Sequence, residues 1–110
     1  MKQILPSDIV RACERHDLKL VAGTFRLINH CCCPLTAMYI DAVENPEIGY
    51  DGYCDAPMWA NKKYGVDYAS GFAYGFDDSY VVKLKSESEQ YRIGYSDGQT
   101  ARNKLLLKLY

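Results

Sequence analysis

A chain of 110 residues, 48% apolar and 25% charged, has the make-up of one globular domain with a modest hydrophobic core. Its formal net charge of −1 excludes the basic excess of a general nucleic-acid binder, so no direct nucleic-acid contact is expected. No apolar run approaches a membrane span, and the start Met-Lys-Gln-Ile-Leu-Pro lacks the apolar stretch of a signal peptide, which together predict a cytoplasmic protein with no membrane partner.

Pro6-Ser7-Asp8 opens a first helix with Ser7 as N-cap; Ile9, Val10 and Cys13 form its apolar face, His16 stands at the edge, and it stops near Asp17. Between Leu18 and Ile28, Val21, Gly23 and the alternation of Phe25 and Leu27 predict one short strand. Pro34 begins a second helix whose face is Leu35, Met38, Tyr39, Ala42 and Val43, ended by Asn45-Pro46. From Glu44 to Pro57 the chain reads as loop. Pro57 starts a short third helix with Gly65 as its stop, and Asp67 caps a fourth that Asp77-Asp78 breaks. Tyr80, Val82 and Leu84 alternate as a second short strand. Ser86-Glu-Ser-Glu89 is a capping-box pattern opening the last helix, where Tyr91, Gly94, Tyr95, Gly98, Arg102, Leu105 and Leu109 hold one stripe. The expected fold is mainly α: a compact single-domain helical bundle of about five helices with at most a short two-stranded β ribbon, its last helix the longest and central to the packing.

The fourth and fifth helices share a pattern. Tyr68-x-x-Gly71-Phe72-x-x-Gly75 and Tyr91-x-x-Gly94-Tyr95-x-x-Gly98 both read Tyr-x-x-Gly-aromatic-x-x-Gly. On a helix the Tyr and both glycines share one face, and an interior Gly costs about 1 kcal/mol relative to Ala. A face without Cβ atoms lets another backbone approach, so Tyr68, Gly71, Gly75, Tyr91, Gly94 and Gly98 are read as a helix-packing set. The same faces also suit a homodimer seam or a pocket for a planar ligand.

His30, Cys31, Cys33 and the distant Cys54 are metal-capable and define an alternative reading, a small metal-binding or thiol-redox module. Against it, structural zinc sites draw cysteines spaced by two to four residues, and the adjacent thiols of Cys31-Cys32-Cys33 cannot all converge. An odd count of five cysteines is not a secreted disulfide framework, so reduced, packed thiols are expected, with one near the helix start open to activation. No cofactor is called for.

Catalytic signatures are absent from the sequence: no Gly-rich phosphate loop, no Gly-x-Ser-x-Gly elbow, no His-Glu-x-x-His pair. A nucleophile built from Cys33 and His16 is the one catalytic pairing left, and it has no spacing signature. The chain is read as a non-enzyme.

Asp41, Glu44, Glu47, Asp51 and Asp55 fall in a stretch without Lys or Arg, with Tyr50 and Tyr53 among them; Asp77, Asp78 and Tyr80 repeat the combination. All ten tyrosines lie between Tyr39 and Tyr110. Tyrosine supplies contact area, and carboxylates steer association with a basic partner and stand where phosphates would. Tyr50, Asp51, Tyr53, Asp55, Asp77, Asp78 and Tyr80 are therefore the predicted partner-binding set, and the partner is another protein with a basic surface.

Cys32-Cys33-Pro34-Leu35-Thr36-Ala37, Gly71-Phe72-Ala-Tyr-Gly75-Phe76-Asp77 and Tyr91-x-x-Gly94-Tyr95-x-Asp97-Gly98 together resemble small uncharacterised proteins of bacteria and their phages that join a Cys-Pro-Leu helix start to Gly-Phe-Asp. The resemblance spans about residues 30 to 102 and carries no known activity. It implies a phage or accessory-gene setting, in which small proteins inhibit host enzymes by binding them. The resulting expectation is a binding protein that blocks a nucleic-acid-processing host protein.

Overall fold

The computed structural model of the chain describes residues 2–78 and 87–106. In chain order its elements are α1 (Pro6–His16), β1 (Lys19–Leu20), β2 (Cys31–Cys32), α2 (Pro34–Ala42), α3 (Ala56–Tyr64), α4 (Val66–Phe76) and α5 (Glu89–Leu105). The architecture is mainly α. Its only sheet among the described residues is the parallel pair β1–β2, with Lys19 opposite Cys31 and Leu20 opposite Cys32.

The sheet is where the sequence reading and the structure differ most. Phe25 and Leu27 lie in irregular chain, and the partner of the first strand is the cysteine run itself. Asn29 and His30, both with positive φ (52° and 63°), form a two-residue turn that brings Ile28 and Cys31 into mutual backbone hydrogen bonds of 3.0 and 2.9 Å. That turn delivers Cys31 and Cys32 to β1 in extended form. The predicted strand of Tyr80, Val82 and Leu84 lies outside the described residues.

Helix starts obey backbone geometry more than side-chain preference. Helix α1 begins at Pro6, with Leu5 rather than Ser7 as N-cap, and Asp8 accepts the Leu5 N–H at 3.3 Å. Proline fits the first helical position because its φ is already helical and it has no N–H to satisfy. Helix α4 starts at Val66 on Gly65 (φ 92°), so Asp67 sits inside its first turn instead of capping it. Helix α5 is capped by Ser88, whose Oγ accepts the Tyr91 N–H at 3.1 Å; Ser86 lies outside the described residues. Helix α2 ends at Ala42, before Asn45-Pro46.

The core collects Ile9 and Ala12 of α1, Leu20 and Cys32 of the sheet, Leu35, Ala37 and Met38 of α2, and Tyr68, Phe72 and Phe76 of α4. Val10, expected on the buried face of α1, and His16, expected at the edge of that face, are exposed. Helix α5 is the longest of the described helices, but the packing centre is α4, which carries the three largest fully buried side chains.

Helices α4 and α5 meet along their glycines. A Cβ on Gly71 would overlap the carbonyl oxygen of Tyr91, one on Gly94 that of Tyr68, one on Gly75 that of Tyr95, and one on Gly98 that of Phe72. Each glycine thus faces the carbonyl three residues before its counterpart glycine, a reciprocal arrangement with an internal near-twofold. Contact positions advance together along both helices, so the pair runs parallel. The Hα that replaces each Cβ points at a carbonyl oxygen, the geometry of a Cα–H···O contact.

Parallel dipoles repel, and the ends are compensated. At the N-terminal end Ser88 Oγ donates to Asp67 at 2.8 Å, while at the C-terminal end Arg102 donates to the Phe76 carbonyl at 2.7 Å and Gln99 to the Gly75 carbonyl at 3.1 Å.

Candidate functional site

The tyrosine-bearing acidic loop between α2 and α3 is a tight, hydrogen-bonded turn. Ile48 and Cys54 form an antiparallel bridge, the Gly49 N–H donates to the Tyr53 carbonyl at 2.8 Å, and the Gly52 N–H to the Gly49 carbonyl at 2.9 Å. Gly52 has φ of 87°, and a Cβ there would overlap the Leu27 carbonyl, so both its conformation and its neighbour demand glycine. Asp51 accepts the Tyr53 N–H at 3.2 Å, locking the corner. This leaves Tyr50 at the apex, wholly exposed (106%), with Tyr53 half out of the surface (55%) and Asp55 exposed beside it.

The segment 22–28 holds this loop to the rest of the fold. Leu27 donates its N–H to the Gly52 carbonyl at 2.9 Å, and the Arg26 guanidinium lies 4.1 Å from the centre of the Tyr53 ring. The Phe25 carbonyl accepts Thr36 Oγ1 at 2.8 Å and takes the Cys54 thiol at 3.8 Å. At its other end the Gly23 N–H donates to Asp77 at 2.7 Å. The two halves of the predicted contact set are thus attached to opposite ends of one segment.

Several predicted acids already have structural work. Asp77 is half-buried on the Gly23 amide, Asp78 has φ of 55° and accepts Gln99 Nε2 at 2.8 Å, and Tyr80 lies outside the described residues. Asp41 binds His16 at 3.0 Å and Arg15 at 3.4 Å. Burial pushes the Asp41 carboxyl up, but hydrogen bonds from His16 and Arg15 and their charges outweigh it and hold the group below the usual carboxylate range. Glu44, Glu47 and Asp55 form no ion pair among the described residues and carry the loop's outward charge.

The cysteines disperse. Cys31 is half-buried and donates to the Asn29 carbonyl at 3.6 Å, Cys32 is buried on the other side of the strand, and Cys33 is buried 3.5 Å from Thr36 Oγ1. His30 is exposed, and its contribution is a backbone carbonyl that accepts the Lys19 N–H at 2.7 Å. Among the described residues no three His, Cys, Asp or Glu side chains converge to hold a metal, and all five cysteines are free thiols. His16 and Cys33, the one catalytic pairing considered, are engaged separately with Asp41 and Thr36.

At the start of α2 the surroundings of Cys33 disfavour the thiolate. Burial pushes Cys33 above the ordinary thiol value even though the backbone amides of Thr36 and Leu35 donate to it; burial pushes Cys32 the same way, and burial with the Glu14 charge takes Cys13 up to about 11. In the unfolded chain these thiols ionise near 9.0. A raised folded value favours the neutral thiol, so this contribution to stability is complete below about pH 9 and is lost as pH climbs through the folded values. The urea midpoint of the reduced protein should hold steady from neutral pH and fall on going from about pH 9 to about pH 11. A flat profile over that range would contradict the buried placement of the thiols.

Arg26 and the Thr36–Phe25–Cys54 cluster were invisible to sequence reading, because nothing local marks a contact made across 27 or 29 residues. Comparison with protein-family models, curated proteins and solved structures returns no match, so no role passes to any residue from a relative. Among the described residues no helix is long and apolar enough to cross a membrane.

Proposed function

We propose that this chain is a non-enzymatic, cytoplasmic binding protein that docks on a basic surface of another protein through Tyr50, Asp51, Tyr53 and Asp55, together with Asp77, Asp78 and Tyr80. The reading rests on Tyr50, a large ring held entirely in solvent at the tip of a turn that hydrogen bonds and Gly52 make rigid. A rigid exposed aromatic loses little entropy on binding, and neighbouring carboxylates steer a cationic partner toward it. The Arg26–Tyr53 stack supplies an internal example of the chemistry: a guanidinium already rests on one loop tyrosine. In the accessory-gene setting that the sequence resemblance implies, the partner is a nucleic-acid-processing host protein whose basic groove the acids would occupy.

The test is capture from host lysate on the immobilised full chain, comparing the parent with Tyr50→Ala and with Tyr50→Ala/Asp55→Lys. The expected result is a protein retained by the parent, weakened by the single change, lost with the double change, and released in ~1 M salt, where the screening length is about 3 Å. Retention that survives both the salt and the double change would reject this surface as the contact.

A further inference from the structure

The other face of α4 carries a second feature. Gly71 and Gly75 point to α5, whereas Ala69, Ser70 and Ala73 look away from the seam toward α3 and the segment 22–28. The small side chains leave a groove of about 280 Å³ whose apolar lining is Phe25, Leu35, Pro57, Ala69 and Ala73. Asn61, Ser70, Tyr74 and Asp77 supply its polar lining.

These polar groups are uncommitted in an informative way. The side chains of Asn61 and Ser70 have no hydrogen-bond partner among the described residues, and the Tyr74 hydroxyl has none either, its ring resting against Tyr91 with centroids 6.4 Å apart. Asp77 Oδ1 is held by the Gly23 amide at 2.7 Å, which fixes the carboxylate and leaves Oδ2 as an acceptor at the groove's edge. Ligand sites of small molecules have this make-up: an apolar concavity with a few polar groups that fix orientation.

We propose that this groove binds a planar nitrogen heterocycle bearing an amino group, of the aminopurine or pterin class. Phe25 contributes an aromatic ring to the lining, against which a flat ring can stack, and Ala69 and Ala73 leave room beside it. Asp77 Oδ2 can only accept, so the ligand edge facing it carries an N–H donor, and that bond is charge-assisted. Asn61 both donates and accepts, which matches the mixed edge of such a ring. The groove shares Asp77 with the proposed contact set but includes none of Tyr50, Tyr53 and Asp55, so Tyr50→Ala separates the two readings and either can fail alone.

Guanosine and adenosine serve as probes, titrated into the full chain by calorimetry and followed by amide chemical-shift mapping. Expected are saturable binding of at least one of them and shift changes clustered at Phe25, Asn61, Ala73, Tyr74 and Asp77. Ala73→Leu should abolish binding by filling the groove, Asp77→Asn, which keeps the Gly23 contact, should weaken it at least ~tenfold, and Tyr50→Ala should leave it unchanged. No binding of either nucleoside to the unmodified protein, shift changes centred elsewhere, or binding indifferent to Ala73→Leu in a folded variant would each overturn the proposal.

Discussion

Gly71→Ala and Gly94→Ala should each lower the melting temperature by roughly 10–20 °C, and Gly75→Leu should leave no folded protein. In an exposed helix, Gly→Ala stabilises by about 1 kcal/mol. Here the new methyl would overlap the Tyr91 carbonyl from Gly71 and the Tyr68 carbonyl from Gly94, and both obstacles are backbone. A side chain can rotate away; a helix backbone moves only if the whole seam opens. Overpacking a core typically costs about 1–3 kcal/mol and more where nothing can yield, so the expected net loss is about 3 kcal/mol against the propensity gain. Ser96→Ala, on an exposed face of the same helix, is the control and should change stability by less than about 0.5 kcal/mol. Thermal melts of the four variants decide the matter. An alanine variant that melts at or above the parent would mean that α4 and α5 do not approach through these glycines.

That seam was readable because its physics is written locally. Close helix approach needs glycine on one face at fixed spacing, and Gly71, Gly75, Gly94 and Gly98 provide it twice. The parallel direction of the pair was not readable, since the spacing of one face says nothing about how its partner runs. Helix α2 at Pro34 and the end of α1 at Asp17 were equally local. Caps were not: Ser7, Asp67 and Ser86 all have the right chemistry, but the first helical residue is set by backbone φ, which Pro6 and Gly65 impose. A short two-stranded ribbon was expected, but its strands were not readable, because the second is two residues long and consists of cysteines delivered by an Asn29-His30 turn. The candidate surface shows the same limit. Composition counts Asp41, Asp51, Asp77 and Asp78 as charge available to a partner, but each is bonded inside the fold, to side chains or amides up to 54 residues away. What composition did identify is the exposed remainder around Tyr50.

Tyr68→Phe should destabilise the protein by about 2–4 kcal/mol, although it removes one oxygen atom. The repeat pattern placed Tyr68 as a ring sealing the glycine seam; its hydroxyl does more. It accepts the Ile4 N–H at 2.9 Å and donates to Asp97 Oδ2 at 2.5 Å, which ties the segment before α1 and the middle of α5 to α4 through a fully buried side chain. Burial, reinforced by the bond to Asp97, pushes the hydroxyl well above the usual tyrosine range, so it remains a donor at any physiological pH. Phenylalanine fills the same space but leaves the amide of Ile4, itself 2% exposed, without an acceptor and the Asp97 carboxylate without its donor. A buried unpaired group costs about 1–3 kcal/mol, and a hydrogen bond to a charged acceptor contributes about 1.5–3. Asp97→Asn separates the two parts: its side-chain carbonyl still accepts from Tyr68, so about half the effect should disappear with the charge. Hydrogen exchange at the Ile4 amide is the decisive readout. Protection should collapse in Tyr68→Phe and persist in Asp97→Asn, because only the first removes the acceptor. An Ile4 amide equally protected in parent and Tyr68→Phe, with unchanged melting temperature, would show that the N-terminal segment is held by apolar packing of Ile4 alone.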